Sequence, residues 1–171
     1  MRLTDWRFAG GFPDLNKFVI IVAPHTSNWD FPVGLQAKFA LGLQVTWIGK
    51  HTLFRWPAGG LLRTLGGVPV HRATANAVVQ RIVDEFAARE RMVFALAPEG
   101  TRKRVEKWRS GYWHIAHQAG VPIVPVGLDY ATREVRIGKP LVTSESLESD
   151  ERALREFFAQ VHARRPENYG C

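Results

Sequence analysis

The stretch FVIIVAPHTSNWD, residues 18–30, decides the fold class of this protein. Its first six residues are all apolar, which is typical of a strand buried on both faces, and Pro24 ends that strand. A helix is predicted to begin near Asp30, because Pro32 then falls in the first helical turn, where its missing amide hydrogen costs least. A buried strand that leads directly into a helix is the repeating unit of α/β proteins.

The same alternation of apolar runs and amphipathic segments continues along the chain, and the clearest helix covers residues 74–89, where apolar residues recur at helical spacing. The sequence therefore predicts a single α/β domain over residues 1–171, with a central, mostly parallel or mixed sheet flanked by helices. Further strands are predicted at residues 45–48, 68–70, 92–97, 122–128 and 134–137, and further helices at residues 110–119 and about 150–164.

The composition is that of one globular domain, with 46% hydrophobic and 23% charged residues. No apolar run approaches the roughly 18 residues that a membrane-spanning helix needs. Charged residues also interrupt the start of the chain, where a secretion signal would be apolar. The single cysteine, Cys171, excludes a disulfide within the chain and agrees with a reducing compartment. We therefore expect a cytoplasmic protein.

The net charge of +7 favours an anionic partner. Three classes of partner fit this charge: nucleic acid, an anionic membrane face, and a phosphorylated substrate or acidic protein. The chain contains no recognisable nucleic-acid-binding module, so we do not expect the first class. Charge alone does not choose between the other two.

A histidine and an aspartate follow the first strand. The strand delivers His25 to its carboxyl end, where ligands bind in open α/β sheets. Asp30 lies five positions later, which is off the same face of a continuous helix, but a turn through residues 26–29 would bring its carboxylate back to the imidazole. A histidine held in this way is a general base with a fixed tautomer. The alternative is that His25 is a polar loop residue and Asp30 only a charge at a helix start.

A second candidate site, Pro98-Glu99-Gly100-Thr101-Arg102, follows another apolar strand. Backbone amides around Gly100 would approach a phosphate closely, and the Arg102 guanidinium would bind one with two hydrogen bonds. Four more cations extend the positive field, although a solvated basic loop describes these better: Lys103, Arg104, Lys107 and Arg109.

Two further stretches carry weaker signals. Residues 50–72 begin with Lys50 at a strand end and are strongly apolar, so they would line an acyl groove or belong to the ordinary core. Arg72 ends the third predicted strand, on the edge expected for His25. Residues 120–126 contain two prolines, which predicts an edge strand or a strand start rather than an acid–base group.

Together these motifs resemble the glycerolphosphate and lysophosphatidic acid acyltransferase family, also called the PlsC-like family. The resemblance covers about residues 18–130. His25 and Asp30 match its His-x4-Asp motif, and residues 99–102 match its Glu-Gly-Thr-Arg motif without substitution. Residues 121–125 look like its fourth block. Its second block is matched by Lys50, Leu53, Pro57, Gly60, Gly66 and Arg72.

The resemblance implies transfer of a fatty acyl group from acyl-coenzyme A or acyl carrier protein to the hydroxyl of a lysophospholipid, in phospholipid biosynthesis. His25 would be the general base and Asp30 its orienting partner, with no metal, redox cofactor or acyl-enzyme. The acceptor would be bound by Glu99, Gly100, Thr101 and Arg102, assisted by Arg72 and Lys50. A thioester hydrolase and a non-enzymatic protein that binds anionic lipid remain as alternatives.

The sequence also departs from the family pattern. Pro24 stands where asparagine is common, and Lys103 stands where serine is common. Longer members carry membrane helices before the first strand, and this chain has little room for them. We therefore expect peripheral attachment to the cytoplasmic face of an anionic membrane. The aromatic candidates are Trp6, Phe8, Phe12, Trp29, Phe31, Trp47 and Trp56, although a core position is favoured for Trp47.

Overall fold

A computed structural model describes residues 5–70 and 75–170, and these contain seven strands and five α-helices. The strands are β1 (Arg7–Ala9), β2 (Lys17–Ala23), β3 (Val45–Lys50), β4 (Gly67–Val70), β5 (Met92–Leu96), β6 (Ile123–Asp129) and β7 (Glu134–Ile137). The helices are α1 (Asp30–Ala40), α2 (Gly59–Thr64), α3 (Ala75–Ala88), α4 (Gly111–Ala119) and α5 (Leu147–Phe158). Short 3-10 turns cover His51–Phe54 and Pro166–Asn168.

The strands form one mixed sheet in the order β1-β7-β6-β2-β5-β3-β4. Strands β2 to β6 run parallel, with Val19 opposite Phe94 and Ile20 opposite Val124. Only the β6–β7 pair is antiparallel among the named strands. The predicted α/β class with a mostly parallel sheet flanked by helices is therefore confirmed. Because five parallel strands share one direction, their carboxyl ends meet at a single edge of the sheet.

The core lies on both faces of this sheet, and β2 contributes to each face. Val19 and Ile21 pack with residues of α3, α4 and α5 on one face. Phe18 and Ile20 pack with Trp6 and with residues of α1 on the other. This double burial explains why β2 is continuously apolar instead of alternating.

Some predicted boundaries were wrong. Helix α5 begins at Leu147 because Ser146 caps it, with Ser146 Oγ accepting a hydrogen bond from the Ser149 amide at 3.3 Å. The helix ends at Phe158 rather than near residue 164, since the chain then turns across the sheet edge. Pro125 lies inside β6, an interior strand, and not at an edge. Its carbonyl still accepts a hydrogen bond from the Gly138 amide at 2.9 Å, so the sheet loses only a donor there. The short elements β1 and α2 were not predicted.

Candidate active site

A tight turn joins β2 to α1 and brings His25 against Asp30. The Ser27 amide donates to Asp30 Oδ2 at 2.9 Å, which bends the chain back between the two residues. His25 Nδ1 then lies 3.1 Å from the same carboxylate oxygen. The predicted contact through a turn is therefore present, and the view of His25 and Asp30 as unrelated loop residues does not fit the geometry.

The Asp30 carboxylate is almost fully covered, with 3% of the residue exposed, and both its oxygens are engaged. The Tyr130 hydroxyl donates to Asp30 Oδ1 at 2.8 Å. Burial, and then this hydrogen bond, raises the pKa of the Tyr130 phenol, so the phenol keeps its proton and remains a donor. With Oδ2 facing Nδ1, the ring of His25 carries its proton on Nδ1 and leaves a lone pair on Nε2. About a quarter of the His25 side chain (26%) is exposed, so the ring is open to a substrate.

Glu99 is buried and faces the backbone of His25. Its Oε1 accepts a hydrogen bond from the His25 amide at 2.7 Å, and only 2% of the residue is exposed. Oε2 is buried without a hydrogen-bond partner among the described residues. Burial raises the pKa of this carboxyl. The contact of Glu99 with an acceptor stays a prediction, whereas its hydrogen bond to the backbone of His25 is observed.

Gly100 is required by the shape of the loop that follows β5. Its φ of +63° is left-handed, and an added Cβ would lie 2.6 Å from Arg109 Nε. The Arg109 amide in turn donates to the Pro98 carbonyl at 2.8 Å. Arg109 is exposed, as expected, and its side chain also packs against Gly100. The Gly100 amide donates to the Ala97 carbonyl at 3.1 Å, and the phosphate contact of the amides around Gly100 stays a prediction.

The other cations predicted to bind the acceptor are Arg102, Lys50 and Arg72. Arg102 is exposed in the loop after Gly100, and the preceding Thr101 is half-buried. Lys50 is exposed at the end of β3, on the same sheet edge as His25 but with β5 between their strands. Arg72 lies outside the described residues, as does Cys171.

Residues 159–170, after α5, form a strap across the sheet edge that sequence reasoning missed. The Tyr130 amide donates to the His162 carbonyl at 2.9 Å, and the Arg165 amide donates to Thr26 Oγ1 at 3.3 Å. The Arg164 guanidinium lies 5.0 Å from the Trp29 ring centre and 5.7 Å from that of Tyr130. The sequence could have identified Tyr130, because this residue comes after β6 much as His25 comes after β2. No such signal pointed to Arg164.

The aromatic residues expected at a membrane divide into three groups by exposure. Trp6 is 8% exposed and belongs to the core, so its expected membrane contact is wrong. Trp29 and Trp56 are 58% and 93% exposed. The four others are half-buried: Phe8, Phe12, Phe31 and Trp47. No helix within residues 5–70 and 75–170 has the length and apolarity to cross a membrane. The same residues hold no group of three or more histidine, cysteine or acidic side chains arranged for a metal ion.

A family model described as Acyltransferase matches residues 12–129, which is most of the chain. The chain belongs to this acyltransferase family. It is 32% identical over 127 residues to the 1-acyl-sn-glycerol-3-phosphate acyltransferase of Salmonella typhimurium strain LT2. It is 28% identical over 127 residues to the Escherichia coli K12 protein of the same description. Each match covers 70% of this chain and 50% of the relative, so the chain spans about half the length of these curated relatives.

The fold is also that of a solved acyltransferase. The crystal structure of the 1-acyl-sn-glycerophosphate (LPA) acyltransferase PlsC from Thermotoga maritima superposes with a TM-score of 0.62 at 20% identity. The match covers 91% of this chain and 73% of that one. The part matched by the acyltransferase family model includes His25, Asp30 and residues 99–102. It ends at residue 129, before Tyr130 and the strap that carries Arg164.

Proposed function

We propose that this member of the acyltransferase family is an O-acyltransferase of phospholipid synthesis. It moves a fatty acyl group from a thioester on coenzyme A or acyl carrier protein to the free hydroxyl of a lysophospholipid such as 1-acylglycerol-3-phosphate. The observation that carries the proposal is the 3.1 Å contact between His25 Nδ1 and the buried Asp30 carboxylate, at the sheet edge where the Arg102 loop also lies. The relatives of known description support the choice of acceptor.

In this reaction His25 Nε2 takes the proton from the acceptor hydroxyl as its oxygen attacks the thioester carbonyl. A tetrahedral intermediate forms and collapses, the carbon–sulfur bond breaks, and the thiolate receives the proton from the imidazolium. Asp30 stabilises the imidazolium through Nδ1, and Tyr130 holds the carboxylate in place. Such general base catalysis contributes about 10²–10⁴ in rate. The step needs neither a nucleophilic serine or cysteine nor a metal or redox cofactor.

The acceptor phosphate is assigned to the basic loop after β5. Arg102 is exposed, and a guanidinium binds a phosphate with two parallel hydrogen bonds. Arg109, fitted against Gly100, adds a second cation close by. Lys50 and Arg72 remain proposed assistants. Glu99 contributes by accepting the hydrogen bond of the His25 amide, which fixes the backbone of His25.

The proposed setting is the cytoplasmic face of an anionic membrane, with peripheral attachment. The net charge of +7 supports it, since both acidic lipid headgroups and the donors are anionic. Coenzyme A brings phosphates, and acyl carrier protein brings an acidic surface. No role with nucleic acid is proposed.

The test is release of free thiol from palmitoyl-coenzyme A, measured with and without lysophosphatidic acid. We expect release that requires both the acceptor and His25, lost in His25→Ala and kept in His114→Ala, an exposed histidine on α4. Release without acceptor would instead indicate a hydrolase. Absence of release from coenzyme A and acyl carrier protein donors, with binding of anionic lipid retained in His25→Ala, would indicate a binding protein.

A further inference from the structure

Three large apolar side chains between β3 and β4 face solvent. Leu53, Trp56 and Leu61 are 50%, 93% and 64% exposed, and we refer to residues 53–61 as the apolar tip. Three exposed large apolar side chains so close together in the sequence indicate a contact surface, because soluble proteins rarely expose large apolar patches.

The apolar tip is held by a well-packed base. Phe54 is 6% exposed and stacks on Trp47 with ring centres 5.7 Å apart. Arg63 Nη1 donates to the carbonyls of Phe54 and Gly59 at 3.4 and 3.3 Å. An added Cβ on Gly59 would lie only 2.1 Å from the Phe54 carbonyl oxygen. The exposed side chains of Leu53, Trp56 and Leu61 therefore project from a well-packed segment and not from a loosely packed loop.

The charge around the apolar tip is one-sided. Of the 171 residues 16 are acidic, yet none lies between Asp30 and Asp84. Arg55, directly before Trp56, is exposed, and so is Lys50 at the end of β3. An anionic surface would meet attraction here and no opposing carboxylate from this part of the sequence. The basic residues of the acid-free stretch are Lys38, Lys50, Arg55, Arg63, Arg72 and Arg81.

The position of the apolar tip relates it to the candidate active site. It follows the carboxyl end of β3, at the same sheet edge as His25, which follows β2. One strand, β5, lies between β2 and β3, so the two strand ends are about 10 Å apart. A surface that receives the tip would therefore also face the edge that carries His25.

We propose that residues 53–61 dock this protein on an anionic lipid bilayer. Trp56, Leu53 and Leu61 insert at the headgroup level, and Arg55 lies against lipid phosphates. The inference rests on the proposed function in one respect: docking there brings a lysophospholipid, which resides in the bilayer, to the edge where His25 lies. The docking itself requires no turnover.

The test is flotation with vesicles of phosphatidylcholine and phosphatidylglycerol, without any acyl donor. We expect the wild type to float with these vesicles, less well at high salt and less well with phosphatidylcholine alone. Trp56→Ala should lower the partition about tenfold or more, since a buried indole removes roughly 150–250 Å² from water. Trp56→Phe should restore most of it. Because Trp56 is so exposed, its variants should have the same urea midpoint of unfolding as the wild type.

Val142→Ala is the matched control. Val142 is 79% exposed, but the preceding Leu141 pairs with Ile123 at the start of β6, so it lies at the opposite edge of the sheet. Wild-type flotation by Trp56→Ala and by the Leu53→Ala/Leu61→Ala double variant would overturn the proposal. So would a wild type that ignores anionic vesicles but forms a dimer, seen by sedimentation, that Trp56→Ala dissociates.

His25→Ala separates the docking from the proposed function. The docking proposal expects this variant to float like the wild type, even though it is inactive. Trp56-dependent flotation of a protein that never releases thiol would refute the acyl transfer and leave the docking standing. Full turnover on vesicles by a Trp56→Ala protein that floats normally would refute the docking alone.

Discussion

Tyr130 and Asp30 lie 100 residues apart in sequence, yet the Tyr130 hydroxyl donates to Asp30 Oδ1 at 2.8 Å. Asp30 begins α1, and Tyr130 follows the last residue of β6. The bond forms because β6 lies next to β2 in the sheet, and the carboxyl ends of these parallel strands meet. It occupies the one oxygen of Asp30 that does not face His25, and so it holds the carboxylate in a single orientation.

Tyr130→Phe should therefore lower kcat more than it changes KM. The buried Asp30 carboxylate would lose a donor, which costs about 1–3 kcal/mol of unfolding free energy and about tenfold or more in kcat. Steady-state kinetics and urea unfolding measure both. Tyr112→Phe is the control, because the Tyr112 hydroxyl is fully buried without a hydrogen-bond partner among the described residues. A kcat equal to wild type in Tyr130→Phe would refute the positioning role.

Asp30→Asn should nearly abolish acyl transfer while the protein stays folded. Asparagine carries no negative charge to stabilise the imidazolium that forms on His25, so Nε2 would become a much weaker base. We expect kcat to fall by about 10³–10⁴-fold. Thiol release and circular dichroism check activity and folding, and Asp84→Asn, an exposed change on α3, controls for the lost charge. A folded Asp30→Asn protein with near-normal kcat would rule out His25 as a base oriented by Asp30.

Glu99→Gln should change how stability depends on pH. Burial raises the pKa of Glu99 in the folded protein, so the folded state binds its proton more tightly than the unfolded state does. The wild type therefore loses stability as pH rises from the ordinary carboxyl pKa through the raised one. A glutamine oxygen still accepts from the His25 amide without this cost.

Urea unfolding from mildly acidic to neutral pH measures the effect. Relative to Glu99→Gln, the wild type should become less stable as pH rises. The exposed Glu156→Gln controls for the loss of one negative charge. If the stability difference between wild type and Glu99→Gln is constant with pH, or changes in the opposite direction, burial does not raise the pKa of Glu99.

Gly100→Ala should weaken acceptor binding as well as stability. A left-handed φ of +63° costs a residue with a side chain about 1–2 kcal/mol, and the new Cβ would push Arg109 away. We expect a severalfold higher KM for the lysophospholipid. Gly34→Ala is the matched control in α1, where no atom lies within 4 Å of an added Cβ. That change should stabilise the protein by about 0.5–1 kcal/mol. A wild-type KM in Gly100→Ala would show that acceptor binding does not depend on the conformation of this loop.

Arg102→Ala should raise KM for the phosphate-bearing acceptor about tenfold or more, the value of a charge-assisted hydrogen bond. Arg102→Lys should restore activity only in part, because an ammonium does not form the paired hydrogen bonds. The discriminating measurement uses monoacylglycerol, which lacks the phosphate, and its KM should not change. Arg89→Ala is the control, because Arg89 lies just after α3 and forms a surface ion pair with Glu85. An equal loss with both acceptors would show that Arg102 does not bind phosphate.

Local patterns predicted several elements to within one or two residues. Helix α4 was expected to end before Gly120, and Gly120 has the left-handed conformation of a helix end. Strand β7 has the predicted bounds. These features depend on neighbours in sequence, so the sequence displays them directly. The end of α5 and the interior position of Pro125 depend on distant chain segments, and there the predictions were wrong.

The sequence by itself determined the α/β class and where His25 and the Glu-Gly-Thr-Arg motif lie. Both follow apolar runs, and the carboxyl ends of parallel strands meet at one edge whatever the strand order. Only the tertiary structure decided that Tyr130 reaches Asp30, that Glu99 turns inward, and that Trp6 is core while Trp56 is exposed. The reason is physical: the spacing of apolar residues fixes each element, but the partners of a side chain depend on which elements pack beside it.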